Sequence, residues 1–387
     1  MSRELVVDQT PQGARIGLLE EGRLLDVDLA DDQGRGRICL GRVRRVEHDL
    51  DGAFVDCGLG RDAFLSARDA RALSGAARKA RIGDQVSEGQ AVLVQVKRAA
   101  QGDKGPRITA DVALPGLLLQ YRPRARRIEL SPALARSGRA GGQQARGEAL
   151  LPAGGFVLRR AAPQASDQDL LDEAQRLRQG WAEIEQRAGS ARAPALLDPP
   201  GDPLRRLLLD HLSPDLERIV FAERTALIRT RNWLGAWLPG LAARLEHLAD
   251  AFEASGAADQ LAEALGPEVA LRGGGSLIIE PTTALTAVDV NGAGRRPLEV
   301  DLEAAREVAR QLRLRQIGGI VVIDFVDLDA KADRARLLSA LRSAFDDDPV
   351  MVQLYPMSPL GLVELSRQRI GPCLAERLGR AEETASE

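Results

Sequence analysis

Residues 318–329 constrain the fold of this chain most strongly, and they read Gly-Gly-Ile-Val-Val-Ile-Asp-Phe-Val-Asp-Leu-Asp. The short β-branched run after the glycine pair predicts a fully buried strand. This run ends in three carboxylates, Asp324, Asp327 and Asp329. Because a buried charge is costly unless something pairs with it, the carboxylates need a binding partner at the end of the strand.

A second β-rich run, residues 285–291, carries Asp289 and Asn291. Asp289 and Asp324 are 35 positions apart, which is enough for two strands of one sheet joined by the helical segment between them. Carboxylates that converge on one sheet edge suit Mg2+, which binds one or two carboxylates together with water and phosphate oxygens. The residues therefore predict a metal site for phosphodiester chemistry.

Composition and the N-terminal sequence argue against a generally cationic nucleic-acid binder, a disulfide-linked protein and a membrane protein. The formal net charge is −3, so affinity for a polyanion must come from local patches. Three scattered cysteines without a CxxC pair argue against a disulfide framework and a closed zinc site. The charged N-terminus and the lack of an apolar run of about 20 residues predict neither a signal peptide nor a membrane span. We therefore expect a cytoplasmic protein.

Residues 37–112 contain five short predicted strands punctuated by Gly and Asp, which indicates a small closed barrel of the OB type. Such barrels bind oligonucleotides by stacking bases on exposed aromatic side chains beside basic residues. Phe54 and Phe64 are the only aromatic residues of this segment, and Lys104 lies in a glycine-containing loop. From the residues alone, burial of both phenylalanines in the barrel core is the commoner alternative.

The remaining segments predict strands and helices around this barrel. The first 30 residues indicate a hairpin, and residues 113–165 are irregular and rich in arginine. There, Arg159 and Arg160 end a predicted strand, where either a solvated loop or a phosphate contact is consistent with the sequence. Residues 275–372 alternate between strands and helices, which predicts an α/β sandwich with a mixed sheet.

Several long motifs of this chain, in the same order, resemble the ribonuclease E/G family. They are residues 52–58, 285–291, 302–305, 309–315, 318–327 and 361–369. The similarity covers most of residues 1–373, and several ordered motifs are more specific than one short pattern.

The resemblance implies a multidomain α+β or α/β fold, in which an RNase H-like subdomain carries an inserted OB-type barrel and a DNase I-like subdomain carries the catalytic site. The expected boundaries are 1–36 and 204–272 for the RNase H-like subdomain, 37–112 for the RNA-binding barrel, 113–203 for a 5′-sensor-like region, 273–373 for the DNase I-like subdomain, and 374–387 for a tail. The implied reaction is magnesium-dependent endonucleolytic cleavage of single-stranded RNA, in RNA processing or decay.

The resemblance also implies roles for individual residues. The family's magnesium ligands fall on Asp289 and Asp324, and its catalytic-site asparagine falls on Asn291. Its RNA contacts in the barrel fall on Phe54, Phe64 and Lys104. For the two phenylalanines, the resemblance therefore favours base stacking over burial in the core. The complete set of expected RNA-binding residues is Phe54, Phe64, Lys104, Arg159, Arg160, Arg367 and Arg369. Asp327 and Asp329 are further candidates near the metal, although capping of the following helix is equally consistent with their positions.

The chain departs from the family pattern in several places, among them Thr283 in place of a family glutamate and a shorter loop from Gly292 to Asp301. It lacks a CPxCxG zinc-link, and Cys373 alone cannot replace two ligands, so we expect no zinc-bridged dimer and leave another homo-oligomer open. The Arg-Thr pair of the 5′-monophosphate sensor reads Arg159-Arg160, and the second sensor arginine falls on Met351, which should weaken 5′-end discrimination. An RNA-binding protein with weak or no nuclease activity is therefore the alternative function. A third interpretation, a metal-dependent phosphatase acting on small molecules, leaves the barrel without a role.

Overall fold

The computed structural model describes residues 2–10, 13–29, 36–74, 79–98, 100, 105–136, 140–197, 203–213, 215–235, 239–346, 348–369 and 371–385. The fold is mixed α/β and divides into two compact units. One unit joins Met1–Leu29 to Asp215–Glu387, and the other comprises Ala30–Pro214. Within the described ranges, no helix combines the length and the apolar composition needed to cross a membrane.

The first unit begins with an antiparallel meander. Its strands are β1 (Arg3–Thr10), β2 (Gly13–Glu20) and β3 (Arg23–Leu29). Glu21 and Gly22 both have positive φ, the conformation of a two-residue type I′ turn, which matches the right-handed twist of the strands. The hairpin predicted from the sequence is therefore present.

The second unit opens with a closed barrel of five strands. They are β4 (Ile38–Glu47), β5 (Gly52–Asp56), β6 (Ala63–Ser66), β7 (Ala91–Arg98) and β8 (Arg107–Thr109), with helix α1 (Ala67–Ser74) after β6. The strand order is β4-β5-β6-β8-β7, and β7 pairs back onto β4. Small and β-branched side chains fill the core. The structure confirms the predicted closed five-stranded barrel, which is consistent with an OB-type domain.

The rest of the second unit combines a small sheet with helices. The elements are β9 (Leu114–Pro115), β10 (Leu119–Tyr121), β11 (Ile128–Leu130), α2 (Pro132–Arg136), α3 (Gln143–Leu150), β12 (Phe156–Leu158), α4 (Asp167–Ser190), β13 (Ala195–Leu196) and α5 (Pro203–His211). Strands β11-β12-β10-β9 form the sheet, and β13 pairs with β4. A capping box between Ser166 and Asp169 begins the predicted helix α4. The buried Glu173 of α4 accepts hydrogen bonds from the backbone amides of residues 117, 118 and 119, which fixes the turn before β10.

The chain then returns to the first unit and extends its first sheet. The elements are β14 (Arg218–Phe221), α6 (Arg224–Gly235), α7 (Pro239–Ala242), β15 (Leu245–His247), α8 (Ala251–Ala254) and α9 (Ala257–Glu263). The strand order is β15-β14-β1-β2-β3, with β1 parallel to β14. A Cβ atom at Gly17 would lie 3.0 Å from the ring of Phe252. The glycine therefore lets this buried ring pack directly on β2.

A second sheet of the first unit completes the fold. Its elements are β16 (Glu268–Ala270), β17 (Ser276–Pro281), β18 (Thr286–Asn291), α10 (Pro297–Leu314), β19 (Gly319–Asp324), α11 (Lys331–Ala344), β20 (Val352–Leu354), β21 (Val363–Arg367) and α12 (Leu374–Ala385). The strand order is β16-β17-β18-β19-β21-β20. Strands β18 and β19 run parallel with α10 between them in the chain, as their spacing predicts.

Strand β19 lies inside this sheet but is covered on one face only. Val321 and Ile323 are fully buried in the core shared with α10 and α11, whereas Ile320 on the opposite face is 55% exposed. Asp324 lies on the same open face and is also exposed. The expectation of a fully buried strand is therefore wrong, and Asp324 does not carry the desolvation cost that a buried strand end would impose.

Candidate metal centre and nucleic-acid interface

Asp289 and Asp324 lie side by side on two adjacent parallel strands. The two residues are register partners at the carboxyl ends of β18 and β19. Both are exposed, because their neighbours Val288, Val290 and Ile323 occupy the buried face. Neighbouring strands lie about 4.8 Å apart, so two carboxylates in register stand side by side on one face. This pair can share a single cation.

Asn291 lies on the same open face, two residues after Asp289. Its Oδ1 atom accepts a hydrogen bond from the Ala293 amide at 3.1 Å, which leaves Nδ2 to donate to solvent or a ligand. Ala293 has a φ of 48°, an unusual conformation for a residue with a side chain. A Cβ atom at Gly275 would lie 2.3 Å from the Asn291 carbonyl oxygen. Glycine at position 275 therefore permits the close backbone approach that places Asn291.

Arg295 braces the loop that follows Asn291. Its Nη1 atom donates to the Gly274 carbonyl at 2.7 Å and to Oε2 of Glu303 at 2.8 Å. Glu303 also accepts a hydrogen bond from the Gly273 amide at 3.0 Å. Partial burial opposes ionisation of Glu303, but the hydrogen bonds from Gly273 and Arg295 outweigh it and lower the pKa of the carboxyl. The loop is thus tied to both the preceding turn and helix α10.

The side chains of Asp289 and Asp324 offer carboxylate oxygens that could hold a divalent cation. In the part of the chain that the structure describes, no three His, Cys, Asp or Glu residues cluster to hold a metal ion. Two carboxylates suffice for an ion such as Mg2+, which keeps several waters and takes phosphate oxygens as further ligands. Asp327 and Asp329 are exposed in the loop before α11. They do not cap this helix, because its N-cap is Ala330 and lacks a side-chain cap.

Phe54 and Phe64 lie outside the barrel core, in one row with arginines. Arg45, Phe54, Phe64 and Arg107 are successive register partners across β4, β5, β6 and β8. The two half-buried rings meet edge to face, with centroids 5.6 Å apart. The Arg45 guanidinium lies 5.1 Å from the Phe54 ring and that of Arg107 lies 5.5 Å from the Phe64 ring, within cation–π range. We call these four residues the aromatic–arginine row.

The aromatic–arginine row depends on one glycine and contains two residues that the sequence did not single out. A Cβ atom at Gly52 would lie 2.2 Å from the Phe64 ring, so only glycine lets the ring lie across β5. Arg45 and Arg107 are far apart in the chain, and pairing of the barrel strands unites them. The alternation of side chains along β4 and β8 indicates which residues share a face of each strand. It does not show which residues pair across neighbouring strands, so the sequence did not identify Arg45 and Arg107 as neighbours of the phenylalanines. Lys104, the other predicted barrel contact, lies outside the described residues.

The structure places the other predicted RNA-binding arginines in different environments. Arg159 and Arg160 follow β12 and are half-buried, and the Arg159 guanidinium donates to the Gly116 carbonyl. Arg369 is exposed and donates to the Gly318 carbonyl at 3.1 Å and 3.3 Å.

Arg367, in contrast, faces the interior of the unit. It is 3% exposed, and its guanidinium contacts both carboxylate oxygens of Asp348 and the Ile317 carbonyl. The predicted RNA contact does not fit this placement, because all three guanidinium nitrogens are already bonded within the core. Arg367 is a structural residue here.

Comparison with known proteins identifies the family of this chain. The model of the ribonuclease E/G family matches residues 113–370. Ribonuclease E of Nostoc sp. is 33% identical over 399 residues, which cover 98% of this chain and 57% of that protein. Ribonuclease G of Salmonella typhimurium is 33% identical and that of Escherichia coli 32% identical, each over 392 residues that cover 95% of this chain and 80% of the relative. The chain belongs to the ribonuclease E/G family of RNA-cleaving enzymes.

Proposed function

We propose that this chain is a magnesium-dependent endoribonuclease that cleaves single-stranded RNA. The observation that carries the proposal is the in-register pair of Asp289 and Asp324 on the open face of the sheet. The names of the relatives support RNA as the substrate. The chain spans 57% of the Nostoc relative and 80% of the Salmonella one, so the activity is proposed for this chain on its own residues.

Asp289 and Asp324 would hold the magnesium ion. When bound, the ion supplies charge neutralisation at a phosphate oxygen and lowers the pKa of a bound water. The Nδ2 group of Asn291 donates a hydrogen bond to the attacking water or to a phosphate oxygen. Arg295 and Glu303 keep the backbone after Asn291 in place, so that this donor is oriented before substrate arrives.

The aromatic–arginine row would bind the unpaired RNA. Bases stack on the half-exposed rings of Phe54 and Phe64, and Arg45 and Arg107 contact the flanking phosphates. Stacking requires bases that are free of a duplex, which favours single-stranded substrates. Lys104, Arg159, Arg160 and Arg369 complete the proposed contacts. A double-stranded RNA of the same sequence should bind this surface less tightly.

The subdomain names belong to the same proposal. The sheet of β15-β14-β1-β2-β3 corresponds to the RNase H-like subdomain, and the sheet that carries Asp289 and Asp324 corresponds to the DNase I-like subdomain. The residue boundaries expected from the sequence, the cytoplasmic location and a homo-oligomer without a zinc-link also remain proposals.

Cleavage of labelled RNA tests this function. Purified protein should cut a single-stranded oligomer with Mg2+ present, and it should lose this activity in EDTA. It should cut a matched duplex much more slowly. Equal cleavage of both substrates would contradict the single-strand preference. Cleavage that persists without divalent metal would contradict the magnesium site.

An RNA-binding protein with little nuclease activity is the second candidate. The observation in its favour is the altered 5′-sensor, in which Met351 is 68% exposed at the position of an expected arginine. Matched 5′-monophosphorylated and 5′-triphosphorylated oligomers separate the two candidates. An active enzyme with this sensor should cut both at similar rates. RNA binding without cleavage in either Mg2+ or Mn2+ would support the second candidate.

A further inference from the structure

Asp301 is a buried carboxyl group that contacts the loop after Asp324. It lies in helix α10 and is completely inaccessible to solvent. Its Oδ1 atom accepts a hydrogen bond from the backbone amide of Val326 at 3.1 Å. Val326 lies two residues after Asp324, in the loop that follows β19. Asp301 therefore links α10 to the chain segment that positions Asp324.

The Val326 side chain extends this link to the loop after Asn291. A Cβ atom at Gly292 would lie 3.3 Å from Cγ2 of Val326 and 3.9 Å from Cγ2 of Val300, so both side chains lie beside the position where glycine lacks a side chain. Gly292 directly follows Asn291. The hydrogen bond that Val326 donates to Asp301 thus restrains a residue that belongs to the loop after Asp324 and lies beside the loop after Asn291.

This arrangement is costly for a residue that serves only to fill the core. The Oδ2 atom of Asp301 is buried and has no hydrogen-bond partner among the described residues. Burial raises the pKa of Asp301 to about 7, and the hydrogen bond from Val326 only partly opposes this effect. An apolar side chain of similar volume would avoid the penalty of a buried polar oxygen without a partner.

We propose that Asp301 is a positioning residue for the metal centre. Through Val326, it holds the loops that follow Asp324 and Asn291 in one arrangement, so that both side chains face the same cation. The role in catalysis rests on the proposed nuclease function, whereas the role in ordering the loop does not.

Two substitutions separate the hydrogen bond from the charge. Asp301→Ala removes the acceptor, whereas Asp301→Asn keeps an Oδ1 acceptor for the Val326 amide and removes the ionisable group. The first measurement is hydrogen exchange in residues 325–329 of metal-free protein. We expect faster exchange in Asp301→Ala and exchange close to wild type in Asp301→Asn. Because no metal or RNA is present, this readout is independent of nuclease activity.

The second measurement is Mg2+ affinity by calorimetry, together with kcat and KM for single-stranded RNA. Loss of a residue that orients a metal ligand typically costs about 10–100-fold in affinity or activity. We expect a loss of this size in Asp301→Ala, in Mg2+ affinity or kcat but not in KM, and rescue by Asp301→Asn.

Unchanged exchange in Asp301→Ala would overturn the proposal, and so would a loss in Asp301→Asn as large as that in Asp301→Ala. Faster exchange without any change in Mg2+ affinity would overturn the role toward the metal. If the wild-type protein cleaves no RNA, the proposed function fails, while exchange and Mg2+ binding still decide the role of Asp301.

Discussion

Removal of Arg367 should destabilise the protein rather than weaken RNA binding directly. Arg367 and Asp348 form an ion pair whose side chains are 2% and 3% exposed, with N–O distances of 2.9 Å and 3.1 Å. Arg367 also donates to the Ile317 carbonyl at 2.8 Å. Asp348 accepts a further hydrogen bond from the Val350 amide at 3.0 Å. The pair therefore ties β21 to the segments that precede β19 and β20.

Arg367→Ala leaves the Asp348 carboxylate buried without its cation. Breaking a buried ion pair on one side costs about 3–5 kcal/mol, because the remaining charge is uncompensated. With a urea dependence of roughly 3 kcal/mol per molar, the midpoint of unfolding should fall by about 1–2 M. Circular dichroism in a urea series measures this shift.

Arg369→Ala is the matched control, since Arg369 lies two residues further along and is exposed. Its bonds to the Gly318 carbonyl should contribute less than about 1.5 kcal/mol. The urea midpoint of this variant should fall by less than about 0.5 M, and the variant should lose some RNA affinity. The reasoning would be refuted if Arg367→Ala had wild-type stability and bound RNA poorly.

Three further predictions concern other parts of the molecule. Phe64→Ala should weaken single-stranded RNA binding by about 1–3 kcal/mol in fluorescence anisotropy, as expected for one lost base stack; a variant with wild-type affinity would exclude the stack. Arg45→Ala should lower affinity and reduce the dependence of log Kd on log salt by about 1, since one phosphate contact is lost; an unchanged salt slope would argue against that contact. In metal-free protein, the raised folded-state pKa of Asp301, about 7, implies that stability is full at low pH and declines as the pH rises through 7. Between pH 5 and pH 8.5 the decline should reach at most about 3 kcal/mol, because about two pH units separate pH 5 from this pKa and each unit is worth about 1.4 kcal/mol. Denaturation over this range should show no such decline in Asp301→Asn, and parallel pH profiles would contradict the prediction.

The sequence predicted those features that depend on local pattern and spacing. The 35-residue separation of Asp289 and Asp324 indicated two strands joined by a helix, and the structure contains that crossover. The strand spacing of residues 37–112 indicated a closed barrel, which is also present. Both predictions rest on periodicity and chain length, which are visible in a linear sequence.

Features that depend on tertiary packing were not predicted correctly. A continuous β-branched run such as residues 320–323 does not reveal that one face is open, so the exposure of Ile320 was missed. The burial of Arg367 was partly predictable from the sequence. Side chains alternate between the two faces of a strand, so Arg367 shares the face of the apolar residues Val363 and Leu365. Helical spacing places Asp301 three and four residues before the buried Ala304 and Ala305, but an aspartate near the start of a helix is usually exposed, so the sequence did not single out its burial.

The most direct test of the account is magnesium-dependent RNA cleavage by Asp289→Asn, Asp324→Asn and the double variant. If both carboxylates hold the same ion, each single substitution should cost more than the roughly 10–100-fold typical of an outer-shell partner. The double variant should then be little worse than either single one, because residues that act as a unit are not additive. Wild-type cleavage by either single variant, with an unchanged dependence on Mg2+ concentration, would contradict the metal centre.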